Sequence, residues 1–247
     1  MPPDPPRLMP SILLRSLAAC AFLVACSRPA ATPRTTDTAG ARQSASADGS
    51  LASSTMPHDS ITDLADRGRI AGDPSATVWV LMASDFQCPY CKEWHDASFL
   101  PLMRDYAQKG KIRLAFVNMP LSIHPNAIPA AEAAMCASVQ NKFWPAHDAL
   151  FASQPQWESM PKPIAKLDSV IAGTGVDMAQ WRSCMAKHAT LPLIQADHDK
   201  LHNAGVNSTP TFFVDGKMLT NDQGLSAGVA ADVRGAIEAA LKAKAKP

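Results

Sequence analysis

Apolar positions first gather at Ser16–Ala25, behind Arg7 and Arg15. A run of about ten residues suits a signal-peptide core and is too short to cross a bilayer. From Ser27 to about His58 the chain is rich in Ala, Ser, Thr, Pro and Gly, with almost no large apolar residue. It cannot bury enough surface to offset its ordering entropy, so a disordered tether with a typical span of roughly 30 Å is expected. Regular patterning starts near Ile61. Thr77–Ala83 is a compact apolar run with β-branched content, which predicts a buried central strand. Trp94, Phe99, Leu102, Met103 and Tyr106 recur near helical spacing up to about Gln108, and Gly110 marks the stop. Lys111–Asn118 predicts the next strand, so strand, helix and strand form a right-handed βαβ unit.

The stretch from Asn126 to about Asn203 reads as helical throughout. Helices are expected at Ala127–Gln140, Lys142–Ser153, Ile164–Ile171, Asp177–Lys187 and Leu191–Asn203, with Asp177 as an N-cap. Thr211–Val214 and Met218–Leu219 flank Asp215-Gly216-Lys217, a hairpin signal. An Ala-rich helix closes the chain at Ala227–Lys244. The predicted organisation is a signal segment (1–26), a linker (27–60) and a folded α/β domain (61–247) with a helical insertion at about 126–203.

The 247 residues are 47% hydrophobic and 18% charged, which supports a real core. A net charge of +1 gives no basic field, which argues against nucleic acid as a partner. Six cysteines remain to be placed: Cys20, Cys26, Cys88, Cys91, Cys136 and Cys184. Leu23-Val24-Ala25-Cys26 resembles a bacterial lipobox, in which the cysteine is lipidated. Leu17-Ala18-Ala19-Cys20 is a second match, but it leaves almost no apolar stretch after Arg15, so Cys26 is preferred. An ordinary cleaved signal is the alternative. Either way the protein is exported, where disulfides persist. Ser27 is not the Asp associated with inner-membrane retention, so the outer membrane is favoured.

Cys88-Pro89-Tyr90-Cys91 follows the predicted buried strand and opens a helix. Free amide N–H groups and the helix dipole there favour a Cys88 thiolate. Pro89 suits the first helical turn, where its missing N–H is not needed. Cys91, one turn on, can close a disulfide with Cys88 and resolve a mixed disulfide. Other readings stay open. The pair could be a structural disulfide, or with His95 it could supply three zinc ligands. Packing or capping roles are expected for His95, His124 and His147, and core roles for Phe143, Trp144 and Phe151. Met119, Met135, Met178 and Met185 are too scattered for copper handling, and no metal is assigned.

Strand, C-x-x-C, helix, helical insertion and then Ser208-Thr209-Pro210-Thr211-Phe212-Phe213-Val214-Asp215-Gly216 resembles the DsbA-like branch of the thioredoxin superfamily. Arg67-Gly68-Arg69, Ser84-Asp85-Phe86-Gln87 and His124-Pro125-Asn126-Ala127 belong to the same resemblance. It implies a thioredoxin-like fold with a helical insertion, and a thiol-disulfide oxidoreductase needing no cofactor beyond a redox-active Cys88–Cys91 disulfide. It implies a cis Pro210 against that disulfide, with Pro89, Tyr90, Thr209 and Pro210 lining a groove for extended peptide. It also implies a second, inert disulfide between Cys136 and Cys184. One departure is Met82, where the family usually carries a buried acid beneath the disulfide; strand alternation is expected to turn Asp85 away from that place. Pro-Tyr between the cysteines lacks the His of the most oxidising relatives, so a potential of roughly −120 to −270 mV is expected. Dithiol oxidase is the leading expectation. A reductase or isomerase is the alternative, and a metal or peptide chaperone without turnover is the alternative of another class. The expected partners are unfolded or thiol-containing exported proteins, a membrane redox partner of unknown identity and, through the lipid, the membrane; a monomer is expected.

Overall fold

The computed structural model describes residues 60–220, 228 and 231–245. The signal segment with Cys20 and Cys26, and the tether up to residue 59, lie outside the described residues.

Ser60 begins the described chain as the N-cap of α1 (Ile61–Gly68); its hydroxyl accepts from the Asp63 N–H, and Asp63 returns the bond to the Ser60 backbone. This capping box satisfies two otherwise unpaired donors. Gly68 lets α1 approach α4 (Ala127–Ser138): a Cβ at Gly68 would stand 2.4 Å from the Ser138 carbonyl oxygen. Five strands form one sheet in the order β1-β3-β2-β4-β5. β2 (Val78–Ser84) lies at its centre, parallel to β3 (Ile112–Asn118) and antiparallel to β4 (Thr211–Val214). β1 (Ile70–Gly72) and β5 (Lys217–Met218) form the edges. Asp215 and Gly216 both adopt positive φ, as a two-residue hairpin turn with the twist of its strands requires.

The crossover from β2 to β3 is helical but not uniformly α. α2 (Pro89–Trp94) runs into a π-helical stretch at His95–Phe99, then α3 (Leu100–Leu102), then a second π stretch at Met103–Ala107. Pro101 sits between them. It has no N–H to give and its ring crowds the preceding turn, and widened turns on either side absorb both effects.

The insertion comprises α4, α5 (Phe143–Ala152), α6 (Ile164–Ala172), α7 (Met178–Ala186) and α8 (Leu191–Asn203). Asp177 caps α7 through the N–H groups of Ala179 and Gln180. Phe143 and Phe151 are core, and Trp144 packs against it. A disulfide joins Cys136 on α4 to Cys184 on α7. The closing helix, α9 (Val233–Lys244), starts later than the expected Ala227, because Asp232 caps it through the Gly235 N–H. High Ala propensity extended the expected helix, whereas the cap decides where it begins. The edge strand β1 and helix α1 were absent from the sequence expectation.

A buried ion pair ties the insertion to the sheet edge. Arg69 bonds both carboxylate oxygens of Asp197 on α8 and also reaches Asp66. Asp197 further accepts from the Asn118 backbone N–H (3.1 Å) and side-chain amide (2.8 Å). Asp197→Ala should therefore cost about 3 kcal/mol, the low end for breaking a buried pair, since Asp66 still faces Arg69. Urea unfolding would measure it, and a loss below about 1 kcal/mol would refute this account. No helix of the described residues is long and apolar enough to cross a membrane.

Candidate active site

Central strand β2 ends at Ser84, and the chain turns through Asp85–Gln87 to place Cys88 as the N-cap of α2 with Pro89 in its first turn. The Cys88 N–H donates to the Asp85 carbonyl at 3.1 Å. Cys88 and Cys91 are both free thiols and both buried, at 3% and 2% exposure. Tyr90 between them is 61% exposed. From the far side of the sequence, the Thr209 carbonyl stands 3.5 Å from Cys88 Sγ. The Thr209–Pro210 peptide bond is cis. The structure thus gathers Cys88, Pro89, Tyr90, Cys91, Thr209 and Pro210 at one end of β2 and β4. Cys136 and Cys184 are held apart from them in the insertion.

The two thiols differ in character. Cys88 is lowered from its ordinary value near 9 to about 6. The chief cause is a hydrogen bond from the Cys91 thiol; Thr209 and the backbone N–H groups of Cys91 and Tyr90 add to it, against the opposing effect of burial. Cys91 is pushed well up by burial, by its bond to Cys88 and by the negative charge there. The Ser84 hydroxyl and the Asp85 backbone N–H counter this, as donors to the Cys91 sulfur. The site therefore pairs a thiol favoured as thiolate with one favoured as protonated at neutral pH.

Iodoacetamide should accordingly alkylate the reduced protein with a midpoint near pH 6, from the lowered Cys88 value. A midpoint above pH 8 would sink the assignment. A depressed thiol stabilises the folded reduced form fully above the unfolded value of roughly 8.5, and the gain is lost as pH falls through about 6. The raised Cys91 opposes it only at higher pH.

Met82 is buried in β2, where no acid is available to the pair. Asp85 is also buried, and its carboxylate is turned away from the cysteine pair, as expected. β2 ends one residue before it, so its backbone N–H meets Cys91 while its carboxylate turns beneath a loop. There it accepts from Gln87 N–H (2.8 Å) and Leu121 N–H (2.9 Å) and pairs with His124 Nδ1 (2.7 Å). Burial raises its pKa, against those three bonds. His95 directs its ring nitrogens to Asp96 and Asp148.

Three amides that sequence reasoning left without a role fasten the site to the insertion. Gln154 Nε2 donates to the carbonyls of Phe86 (2.7 Å) and Cys88 (3.1 Å). Gln87 donates to the Glu158 carbonyl (2.7 Å) and accepts from the Asn126 N–H (2.6 Å). Asn126 then donates to the carbonyls of Trp157, Glu158 and Met160. Only the Gln87 and Asn126 motifs gave any signal; Gln154 stands in an unpatterned turn. Trp94 on α2 packs on Phe212 of β4 with ring centroids 4.5 Å apart, which fixes the helix over the sheet.

Comparison with known proteins adds independent findings. The thioredoxin family model matches residues 65–231. The Na(+)/H(+) antiporter NhaA 3 of Salinispora tropica is 34% identical over 153 residues, 62% of this chain and 22% of the antiporter. The chain thus spans about a quarter of the length of the antiporters it matches first, 22% and 24%. Disulfide bond formation protein D of Bacillus subtilis is 25% identical over 154 residues, 62% of this chain and 69% of that protein. The crystal structure of oxidised BdbD from Bacillus subtilis is similar with a TM-score of 0.61 at 25% identity, covering 71% of this chain and 94% of that one. Wolbachia pipientis α-DsbA1 shares the fold with a TM-score of 0.60 at 20% identity, covering 71% and 91%.

Proposed function

The chain belongs to the thioredoxin family, in its DsbA-like branch, and on that premise we propose that it is an extracytoplasmic thiol-disulfide oxidoreductase that oxidises dithiols in exported proteins. The unequal thiols carry the reading: a Cys88 thiolate near pH 6 beside a protonated, buried Cys91. Stabilising one thiolate stabilises the reduced form, which makes the disulfide a better oxidant.

In the forward direction a client thiolate attacks the Cys88 sulfur of the Cys88–Cys91 disulfide. Cys91 leaves as a thiolate and takes up a proton. A second client thiolate then attacks the client sulfur, Cys88 leaves as a thiolate, and the client departs with a disulfide. The Ser84 hydroxyl and Asp85 N–H are placed to hold the transient charge on Cys91. Tyr90, Pro89, Thr209 and Pro210 border the groove where an extended client would lie. The two electrons gained are passed to a membrane redox partner.

Under the same proposal residues 1–26 direct export, Cys26 carries lipid, 27–60 is a tether, and the enzyme works as a monomer at the outer membrane. The direct test supplies oxidised protein with a reduced two-cysteine peptide and follows disulfide formation. Rapid, stoichiometric oxidation is expected. Protein that neither oxidises this peptide nor reduces insulin, and instead holds zinc through Cys88 and Cys91, would replace the enzyme with a binding module.

A further inference from the structure

A second cluster of chemistry-bearing side chains lies one helical turn beyond Cys91, where the π-helical stretch faces α5. We propose that His95, His147 and Asp148 form a site for a first-row divalent cation of the zinc class, separate from the cysteine pair. One ligand atom from each lies within 4.8 Å of the others. Asp148 Oδ1 stands 2.8 Å from His147 Nδ1 and 3.2 Å from His95 Nε2. Ligands bound to zinc at about 2.0–2.1 Å stand roughly 3 Å apart, so small side-chain shifts would close the set.

The surroundings point the same way. His95 Nδ1 faces Asp96 Oδ1 at 3.1 Å, and Lys92 holds Asp96 at 2.8 Å. A carboxylate behind a histidine, fixing its tautomer and directing the other nitrogen at the ion, is a recurrent outer shell of zinc sites. For a neutral ring the arrangement leaves a conflict that a cation resolves, as a second proton on the ring also would. A neutral imidazole has one N–H, yet His95 has a carboxylate oxygen at each nitrogen. With the proton toward Asp96, a lone pair on Nε2 meets the oxygen of Asp148. A cation between them turns that contact into two bonds.

His147 is rigidly held. It is 1% exposed, with Phe99, Phe151 and Trp144 rings at centroid distances of 4.5, 5.0 and 5.3 Å. Its Nε2 is buried with no partner among the described residues, so Nδ1 is its polar outlet and points to Asp148. The Asp148 side chain is 44% exposed and opens the site to entry and to water in the remaining positions. Two imidazoles and one carboxylate suit zinc, cobalt or nickel and are a poor match to calcium or magnesium.

The test uses the full-length chain with Cys20→Ser and Cys26→Ser and with Cys88–Cys91 oxidised, so that no free thiol can bind metal. It is done in a His198→Gln, His202→Gln background, because those rings stack 6.1 Å apart on α8 and could chelate by themselves. Zinc is titrated calorimetrically, and cobalt is followed by its visible absorption. The expected result is one zinc per chain, with His95→Gln and Asp148→Asn each weakening binding at least tenfold. Asp148→Asn is nearly isosteric at a half-exposed position, and circular dichroism checks both folds. Absence of stoichiometric binding, or either variant staying within tenfold of its parent, overturns the proposal.

Discussion

A Cys91→Ser protein mixed with a disulfide-bonded client should accumulate as a covalent client–Cys88 complex, the Cys88 thiolate displacing one client thiolate, and a Cys88→Ala protein should lose exchange by at least roughly a hundredfold. The second figure follows from thiolate populations. With a pKa of about 6, Cys88 is some nine-tenths thiolate at pH 7. Cys91 lies well above 9, so less than about one molecule in a hundred offers its thiolate there. Among the described residues, removing Cys88 leaves that buried thiol, at 2% exposure, as the free thiol able to act, and burial, the largest cause of its raised pKa, remains. The first result follows from the same asymmetry. In the proposed mechanism Cys91 resolves a mixed disulfide at Cys88, and serine cannot do so. Non-reducing electrophoresis reads the trapped complex, and a fluorogenic dithiol peptide reads the rate. A Cys88→Ala protein that keeps more than about a tenth of the rate would show that another thiol carries the reaction.

Removing the second disulfide should lower stability by roughly 4 kcal/mol. Cys136 and Cys184 are 48 residues apart and join α4 to α7. In the chain-entropy model, opening a loop of that length releases roughly 4 kcal/mol of unfolded-state freedom. The packing it braces stays in place without the bond. Trp181 on α7 donates from Nε1 to the Ala133 carbonyl of α4 at 2.9 Å, and both cysteines are buried. The folded state therefore changes little, and the effect should fall mainly on the unfolded chain. Urea unfolding of Cys136→Ala, Cys184→Ala is the measurement, with the Cys88–Cys91 pair kept in one redox state. A loss under about 1 kcal/mol would mean that the helices, not the bond, hold the insertion together.

The arrangement of the site was largely legible in the chain, because its parts carry local signals. A continuous apolar run gave β2, Cys-Pro-Tyr-Cys gave the helix start, and Asp215-Gly216 gave the β4–β5 turn. What was missed lacks a period or depends on distant groups. Three-residue β1 is too short to show alternation, and it exists because β3 offers it an edge. Helix α1 did have a signal, Ser60 and Asp63 as reciprocal caps, in a segment whose polar neighbours hid it. Asp85 turns its carboxylate away from the pair as expected, but the partners that hold it, the Leu121 N–H and His124, lie 36 and 39 residues away and gave no local signal. Gln154 could not be found at all, since its partners are backbone carbonyls 66 and 68 residues away.

Those amides bear on how the fold can be reduced in size. The insertion between β3 and β4 invites excision, which would leave a minimal sheet-and-helix protein with both cysteines. Such a shortened chain would keep the motif and lose its support. The carbonyls of Phe86 and Cys88 would have no donor in place of Gln154, and Gln87 would lose both Asn126 and Glu158. Arg69 would lose Asp197 as its counter-charge. The insertion is thus a structural part of the reactive loop, and a designer who wants a smaller catalyst must first build a substitute for Gln154.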